Sequence, residues 1–376
     1  MKYSENLYNL ALAFLSGVKD INLKRLISKF GSAEKIFSAN KKDFVKTHGI
    51  GEYTAVKIIN SMSSAISRAE EELKYLTTND IEAVTFFDKD YPYRLKECVD
   101  APIVLYYKGN PVFNAKKIVS IVGTRKSTKY GTDFCNKIVS DLAVRYPDIV
   151  VVSGLAYGID ITAHKEALAN NLETWAVLGH SLESLYPAKH KKIAAEMIAK
   201  NGALISDYPH GSITEASNFI KRNRIVAGLC DALIIVESGI KGGAMVTANI
   251  ANHYNKDVFA LPGTINSVYS EGCNNLIKTN RAHLIQSVED IDYIMNWKSD
   301  KIKASKKEVQ YLEIIQNLSE NEKIVVEILK EHEFLDIDNI IRQSKFDSNS
   351  LSLLLLELEF KNIVRALPGK LFSLKN

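Results

Sequence analysis

Residues 118–131 read IVSIVGTRKSTKYG, and this stretch decides the fold class. Its first five residues are apolar apart from one serine, and Gly123 ends the run, which is typical of a short strand buried on both faces. Similar runs follow at residues 149–152, 174–178, 203–206, 232–237 and 257–261. Helical periodicity fills most of the gaps, so the pattern predicts an α/β fold with a mainly parallel sheet and helices on both sides. Two earlier runs, at residues 83–87 and 103–107, extend the sheet beyond a minimal doubly wound unit.

The flanking regions differ from this central region in composition. Residues 1–72 have the apolar spacing of short helices, broken by the turn Gly49-Ile50-Gly51. That turn has the form of a helix-hairpin-helix that could approach a phosphate, but we favour simple packing of two helices. The central region spans residues 75–297, and a basic linker is expected at 298–310. Residues 311–376 predict a winged-helix-like module, whose helix at 350–360 is too Leu-rich and acidic to lie in a major groove.

Composition excludes several classes of protein. The 376 residues carry a formal net charge of only +4, which neither demands nor excludes nucleic acid, because local clustering matters more than the total. The cysteines, Cys98, Cys135, Cys230 and Cys273, form no CxxC pair, so neither a metal site nor a disulfide framework is expected. No apolar run approaches the roughly 20 residues that span a bilayer, and the N-terminus does not resemble a signal peptide. We therefore expect a cytoplasmic protein without membrane contact.

Glycines mark the points where the predicted strands end, and ligands bind at that edge of an open α/β sheet. The loop Gly123-Thr124-Arg125, followed by Lys129, has neither GxGxxG nor the Walker A pattern, so no nucleotide cofactor is expected. It offers backbone amides, a helix start and an arginine, which suit an anion. Further candidates at this edge are Gly154 and Gly158, then Gly242, Gly243 and Thr247, and finally Asn274.

The densest group of candidate binding residues is Asn218-Phe219-Ile220-Lys221-Arg222-Asn223-Arg224. Arginine and lysine bind phosphates, and an aromatic ring stacks on an unpaired base. Cations are unfavourable at the start of a helix, where the macrodipole is positive, so we infer that a bound anion offsets their cost. On this reasoning Arg125→Ala or Arg222→Ala should weaken nucleic-acid binding and leave the fold intact.

Three further polar residues invite a catalytic interpretation. His164 has no nucleophile or metal-ligand partner nearby in the sequence, so we expect a hydrogen-bonded structural histidine. Asp160, at the expected start of a helix, is interpreted as a helix cap. Glu237 follows a strand and is the one carboxylate beside the glycine turns. No catalytic residue is assigned.

The motifs resemble those of the DNA-processing protein A (DprA/Smf) family. The stretches GTRKSTKYG, VVSGLAYGIDITAHKEAL, NFIKRNRIVAGL, ALIIVESGIKGGAMVTANIA, DVFALPG and GCNNLI occur in the family's order and spacing, and the resemblance covers roughly residues 80 to 290. It implies an extended Rossmann fold between a small helical domain and a winged-helix domain. It also implies binding of single-stranded DNA, loading of the RecA recombinase during natural transformation, and a homodimer.

Carried onto this sequence, the resemblance places the DNA pocket at Arg125, Phe219 and Arg222-Asn223-Arg224, lined by the glycine turns. With the loop residues above, the candidate DNA-binding set is Gly123, Thr124, Arg125, Lys129, Gly154, Gly158, Phe219, Lys221, Arg222, Asn223, Arg224, Gly242, Gly243, Thr247 and Asn274. Two positions depart from the family. Ala216 stands where a lysine is common, so that Lys221 or Lys129 substitutes or affinity is lower, and Leu178-Gly179-His180 replaces a glycine-rich turn.

Two other functions stay open on the sequence. A nucleotide- or nucleoside-processing Rossmann enzyme would use Gly-Gly turns of this kind and would need a carboxylate, for which Glu237 is the candidate. A nucleic-acid scaffold without recombinase contact would use the same cleft. Turnover of nucleotides distinguishes the first from the leading interpretation, and a recombinase assay distinguishes the second.

Overall fold

The structure is a computed structural model that describes residues 4–297, 318–330, 332, 334–361, 363–367 and 369–374. The chain divides into two compact units, residues 1–297 and residues 298–376. Each unit is described by itself below. Within the described residues, every helix is too short or too polar to span a membrane.

The first unit begins with short helices and one long helix that share a core. Their bounds are α1 Glu5–Ala11, a 3-10 turn Leu12–Phe14, α2 Asp20–Phe30, α3 Ala33–Phe37, α4 Lys41–Val45 and the long α5 Glu52–Thr78. A further short helix, α6 Tyr93–Lys96, follows the first strand and packs in a different core through Leu95. The turn that joins α4 to α5 buries Ile50, which supports the packing interpretation of the glycine hairpin. Helix α5 runs on to Thr78, so the domain boundary predicted at residue 72 falls inside a helix. The core of this region continues into the sheet through Ile103, Val104 and Tyr106.

Among the described residues, nine strands form one sheet in the order β1-β2-β6-β5-β4-β3-β7-β8-β9. Their bounds are β1 Glu82–Thr85, β2 Val104–Gly109, β3 Ile118–Val122, β4 Val150–Ser153, β5 Thr174–Val177, β6 Ala203–Ser206, β7 Ala232–Ile235, β8 Asp257–Ala260 and β9 His283–Leu284. The strands from β3 to β9 are parallel, and β1 and β2 are antiparallel additions at one edge. Each predicted strand is confirmed to within two residues at either end.

Helices cover both faces of the parallel part. Their bounds are α7 Lys129–Arg145, α8 Ile159–Ala169, a 3-10 turn Ala188–His190, α9 Lys191–Ala199, α10 Ala216–Lys221, α11 Asn223–Leu229, α12 Gly243–His253, α13 Glu271–Lys278 and α14 Val288–Met295. Alternate residues of β3 enter separate cores: Ile118 and Val122 lie in one, Val119 and Ile121 in the other. Burial on both faces is why the run contains no alternation of polar and apolar residues.

The second unit has its own small core. It contains α15 Glu320–Lys330, β10 Leu335–Asp336, α16 Ile337–Ser344, α17 Ser348–Phe360, β11 Val364–Leu367 and β12 Leu371–Leu374. The three strands form a sheet in the order β10-β12-β11, and helix side chains such as Val325, Leu351 and Leu355 pack together. This arrangement of helices and a terminal hairpin confirms the predicted winged helix. The predicted linker at 298–310 lies outside the described residues.

Candidate functional site

A cleft of about 910 Å³ opens at the carboxyl ends of the parallel strands. The chain runs from β3 outward through β4, β5 and β6, then returns to the other side of β3 to form β7 and β8. Such a switch in direction leaves a crevice between neighbouring loops, where ligands of open α/β sheets bind. The loops after β3, β4, β5 and β7 line this cleft, together with α10 and the start of α12.

The loop after β3 is held by hydrogen bonds to Glu237, and Arg125 of this loop is not involved in them. The Thr124 amide donates to the Glu237 carbonyl (2.7 Å), and the amide and hydroxyl of Thr128 donate to the Glu237 carboxylate (2.9 and 2.6 Å). Arg125, between them, is exposed and lines the cleft. Within the described part of the chain its guanidinium makes no hydrogen bond or ion pair. This loop therefore presents an unpaired cation on a fixed backbone.

The loop after β4 is fixed by Asp160. The carboxylate accepts from the amides of Gly154 (3.1 Å) and Ala156 (3.4 Å), so it braces the loop before its own helix. The cap of α8 is Gly158, with φ of +76°, which an L side chain rarely adopts. The expectation that Asp160 caps its helix is thus wrong, because its carboxylate points back to the glycine turn.

Arg222 lies at the floor of the cleft and is buried. Its Nη1 donates to the carbonyls of Gly154 (2.8 Å) and Val177, and the carboxylate of Asp160 is nearby. Burial lowers the pKa of Arg222 and raises that of Asp160, and each group opposes the shift of the other. Arginine stays charged even so, because its ordinary pKa is above 12. The pair therefore supports the two glycine-marked loops.

Arg224 lies outside the cleft, against the N-terminal helices. Its Nη2 contacts the carboxylates of Asp207 (2.5 Å) and Asp20 (3.2 Å). From the sequence we infer that a bound anion offsets the cost of these cations. That inference is wrong for Arg222 and Arg224, since carboxylates of the protein itself supply the negative charge.

An aromatic group forms one wall of the cleft. The Phe219 ring, half-buried, packs over Gly179 and lies 6.3 Å from the His180 ring and 5.6 Å from the Tyr186 ring, measured between centroids. Tyr186 is 54% exposed, and Tyr157 nearby is 40% exposed. This wall offers apolar ring faces to a ligand that also reaches Arg125.

Backbone groups at the start of α12 form another part of the cleft lining. Helix α12 starts at Gly243, and its cap residue, Gly242, makes no side-chain capping bond. The first amides of such a helix have no partner inside the helix and attract anions. Thr247 is buried one turn later and bonds back to the Gly243 carbonyl (3.3 Å). Asn223 reaches the same carbonyl at 3.5 Å.

The cleft collects most of the predicted DNA-binding residues but not all of them. Those that line it are Gly123, Thr124, Arg125, Phe219, Arg222, Asn223, Gly242, Gly243 and Thr247. Gly154 lines a small adjoining cavity with Arg125 and Phe219. Gly158, Lys129, Lys221, Arg224 and Asn274 lie elsewhere. Asn274 holds the loop after β8 through the Gly263 backbone. Ala216, where a lysine is common in the family, lines the cleft, whereas Lys129 and Lys221 do not.

Two residues with catalytic potential have structural partners. The His164 ring is fully buried and its Nδ1 lies 2.7 Å from the Thr174 hydroxyl, which confirms the structural interpretation. Burial lowers the pKa of His164 to about 3. The carboxylate of Glu237 accepts hydrogen bonds from the amide and the hydroxyl of Thr128. Among the described residues, no cluster of His, Cys, Asp or Glu side chains could hold a metal ion.

The sequence reasoning missed Tyr186 and the role of His180. Both follow β5, so the rule that ligands bind at the carboxyl ends of strands could have identified them. Tyr186 is separated from the end of β5 by a long loop, and it contacts Phe219 only in the folded protein.

Comparisons with known proteins agree with the fold. A family model described as DNA recombination-mediator protein A matches residues 82–296, and one described as the DprA winged helix domain matches residues 314–370. The protein Smf of Synechocystis is 32% identical over 98% of both chains. The DNA processing protein DprA of Streptococcus pneumoniae is 37% identical over 55% of this chain and 72% of its own length.

Two solved structures also resemble this chain. The X-ray structure of DNA processing protein A from Streptococcus pneumoniae has a TM-score of 0.64 and 28% identity, and covers 77% of this chain and 98% of that one. A structure of DNA processing protein A from Helicobacter pylori, described by its single-stranded DNA binding mode, has a TM-score of 0.51 and 29% identity. It covers 58% of this chain and 97% of that one.

Proposed function

Because the chain belongs to the DNA recombination-mediator protein A family, we propose that it binds single-stranded DNA in the cleft between Arg125 and Phe219. The observation that carries this proposal is the combination of an unpaired guanidinium and half-exposed aromatic rings in one open cleft. Phosphates need the cation, and unpaired bases need a ring face, whereas duplex DNA hides its base faces.

The remaining cleft residues have supporting roles. The start of α12 offers amides to a second phosphate, and the Arg222–Asp160 pair keeps the loops after β4 and β5 at the distance that the cleft requires. Buried and already paired, Arg222 contributes less to phosphate binding than Arg125. The pocket thus depends on one free arginine, the rings and backbone amides.

Fluorescence anisotropy with labelled oligonucleotides tests the proposal. Single strands should bind more tightly than duplex of the same length. Affinity should fall with salt, with a log–log slope of about −0.7 per phosphate contact. Equal affinity for duplex, or binding without salt dependence, would contradict single-strand recognition by this cleft.

The wider role that we propose is that of a recombination mediator. A homodimer would hold incoming DNA at two clefts, protect it and pass it to RecA during natural transformation. Two clefts on one strand raise affinity through effective concentration, and the family is described by its mediator role. The separate winged-helix unit is available for a protein contact.

Two measurements test the mediator role. Light scattering should give about twice the 42.0 kDa mass of one chain. The protein should also accelerate RecA filament formation on DNA coated with single-strand-binding protein. A monomer that leaves filament formation unchanged would be a scaffold only.

The nucleotide-processing alternative is less favoured, since its candidate carboxylate, Glu237, accepts hydrogen bonds from the amide and hydroxyl of Thr128. Thermal shift with NAD or ATP still provides a check. A ligand at 100 times its dissociation constant stabilises a protein by about 2.7 kcal/mol, so a cofactor would be visible at millimolar concentration.

A further inference from the structure

Tyr186 is an exposed tyrosine at the mouth of the cleft. It is 54% exposed, and its ring contacts Phe219 at the mouth of the cleft. A side chain this exposed does not serve to pack the hydrophobic core. A ring that stays in water at the edge of a cleft is a surface on which an unpaired base can stack.

His180 fixes the backbone of Tyr186. The buried His180 ring accepts the Tyr186 amide at Nε2 (3.2 Å), and its Nδ1 lies 2.8 Å from the Ser181 carbonyl. Since Nε2 accepts, the ring proton is on Nδ1 and is donated to that carbonyl. The His180 carbonyl in turn accepts the Ser206 hydroxyl (2.7 Å). His180 is therefore a positioning residue that ties the tyrosine to the end of β6.

The ring geometry requires one base for each ring. The planes of Tyr186 and Phe219 are inclined by 61°, so a single flat base cannot stack on both. Their centroids are 5.6 Å apart, compared with about 3.4 Å per nucleotide in a stacked strand. Consecutive bases can reach both rings once they are separated from each other, which an unpaired strand permits and a duplex does not.

We propose that Tyr186 is a second base-stacking residue beside Phe219, so that the cleft holds two consecutive unpaired bases. This inference rests on the proposed binding of single-stranded DNA. It assigns a role to the loop that starts at Leu178-Gly179-His180, where the sequence departs from its family. It also makes the cleft a site for a dinucleotide step.

Short oligonucleotides of equal length and charge test the proposal in the full-length protein. One carries a single thymine, another carries two adjacent thymines, and all other positions are abasic. The second thymine should raise affinity by roughly fivefold to a hundredfold, the contribution of one base–aromatic stack. If the cleft had only one stacking position, either thymine could occupy it. The affinity would then rise by only about twofold, for statistical reasons.

Variants test whether Tyr186 is responsible for the gain in affinity from the second thymine. Tyr186→Ala should remove the gain from the second thymine, while Tyr186→Phe keeps it. Tyr53→Ala, at another exposed tyrosine, should leave the gain unchanged. Native circular dichroism verifies folding of each variant.

The possible failures are distinguishable. If the wild-type protein gains no more than the statistical factor, or if Tyr186→Ala keeps the full gain, the second stacking position is wrong. If the wild-type protein does not bind even a single strand without abasic positions, the proposed function itself fails.

Discussion

Arg125 and Arg222 both line the cleft, but their surroundings give them different roles. Arg125 is exposed and its charge is available to a ligand. Arg222 is buried, with two carbonyls and the Asp160 carboxylate around it. A buried charge is tolerated only where such partners surround it, so removing one partner costs more than the pair contributes.

Arg125→Ala should weaken binding of single-stranded DNA by about tenfold to a hundredfold, because a charge-assisted contact with phosphate contributes about 1.5–3 kcal/mol. Anisotropy titrations at several salt concentrations measure this and should show the salt slope reduced by about 0.7. Lys126→Ala removes the same charge from the next residue, which is exposed but does not line the cleft. An equal loss in both variants would mean that overall charge, not the cleft, determines affinity.

Arg222→Ala should destabilise the fold, contrary to the expectation from the sequence. It leaves Asp160 buried without its cation, a change that typically costs about 3–5 kcal/mol. Urea unfolding measures the loss, and the exposed Arg125→Ala should change stability by no more than about 0.5 kcal/mol. Wild-type stability in Arg222→Ala would show that the pair contributes little.

At the scale of elements, α2 is joined to the sheet region by a group of charges. Asp20 of α2 faces Arg224, with Asp207 and Asp100 close by. Burial raises the pKa of Asp20 from 3.8 to about 6, against the attraction of Arg224. The contact between α2 and the sheet is therefore sensitive to pH.

Between about pH 4 and 6 the folded protein binds a proton at Asp20 that the unfolded chain has released. Stability should consequently fall as pH rises through this window, relative to Asp20→Asn, which does not titrate. We expect about 1–2 kcal/mol, less than the full shift implies, because the side chain is 33% exposed. Urea unfolding of both proteins from pH 4 to 7 measures the difference. A constant difference across this range would contradict a raised pKa.

At the scale of the whole molecule, the two units have separate cores, and the described residues that line the cleft all belong to the first. A chain ending at residue 297 should therefore fold and bind single-stranded DNA with an affinity within about threefold of the full-length value, or about 0.7 kcal/mol. Anisotropy compares the two proteins. A loss beyond tenfold would mean that the winged-helix unit also contacts the strand.

Much of the fold was predictable from the sequence. Strands buried on both faces are apolar at nearly every position, so the runs at residues 118–122 and 203–206, each with a single buried serine, can be recognised in the sequence. The direction of the sheet follows from the helices between the runs. Glycines at the strand ends then locate the cleft, because parallel strands bring their carboxyl ends to one edge.

The sequence by itself determined the sheet, the position of the cleft and the family motifs, all of which depend on local patterns. Only the tertiary structure decided which cation is free. Arg222 and Arg224 are two residues apart, yet Asp160 faces one, while Asp207 and Asp20 pair with the other. It also decided that Tyr186 reaches Phe219. Burial and ion pairing depend on residues that are distant in the chain, and so no local pattern of charge could distinguish a paired arginine from an available one.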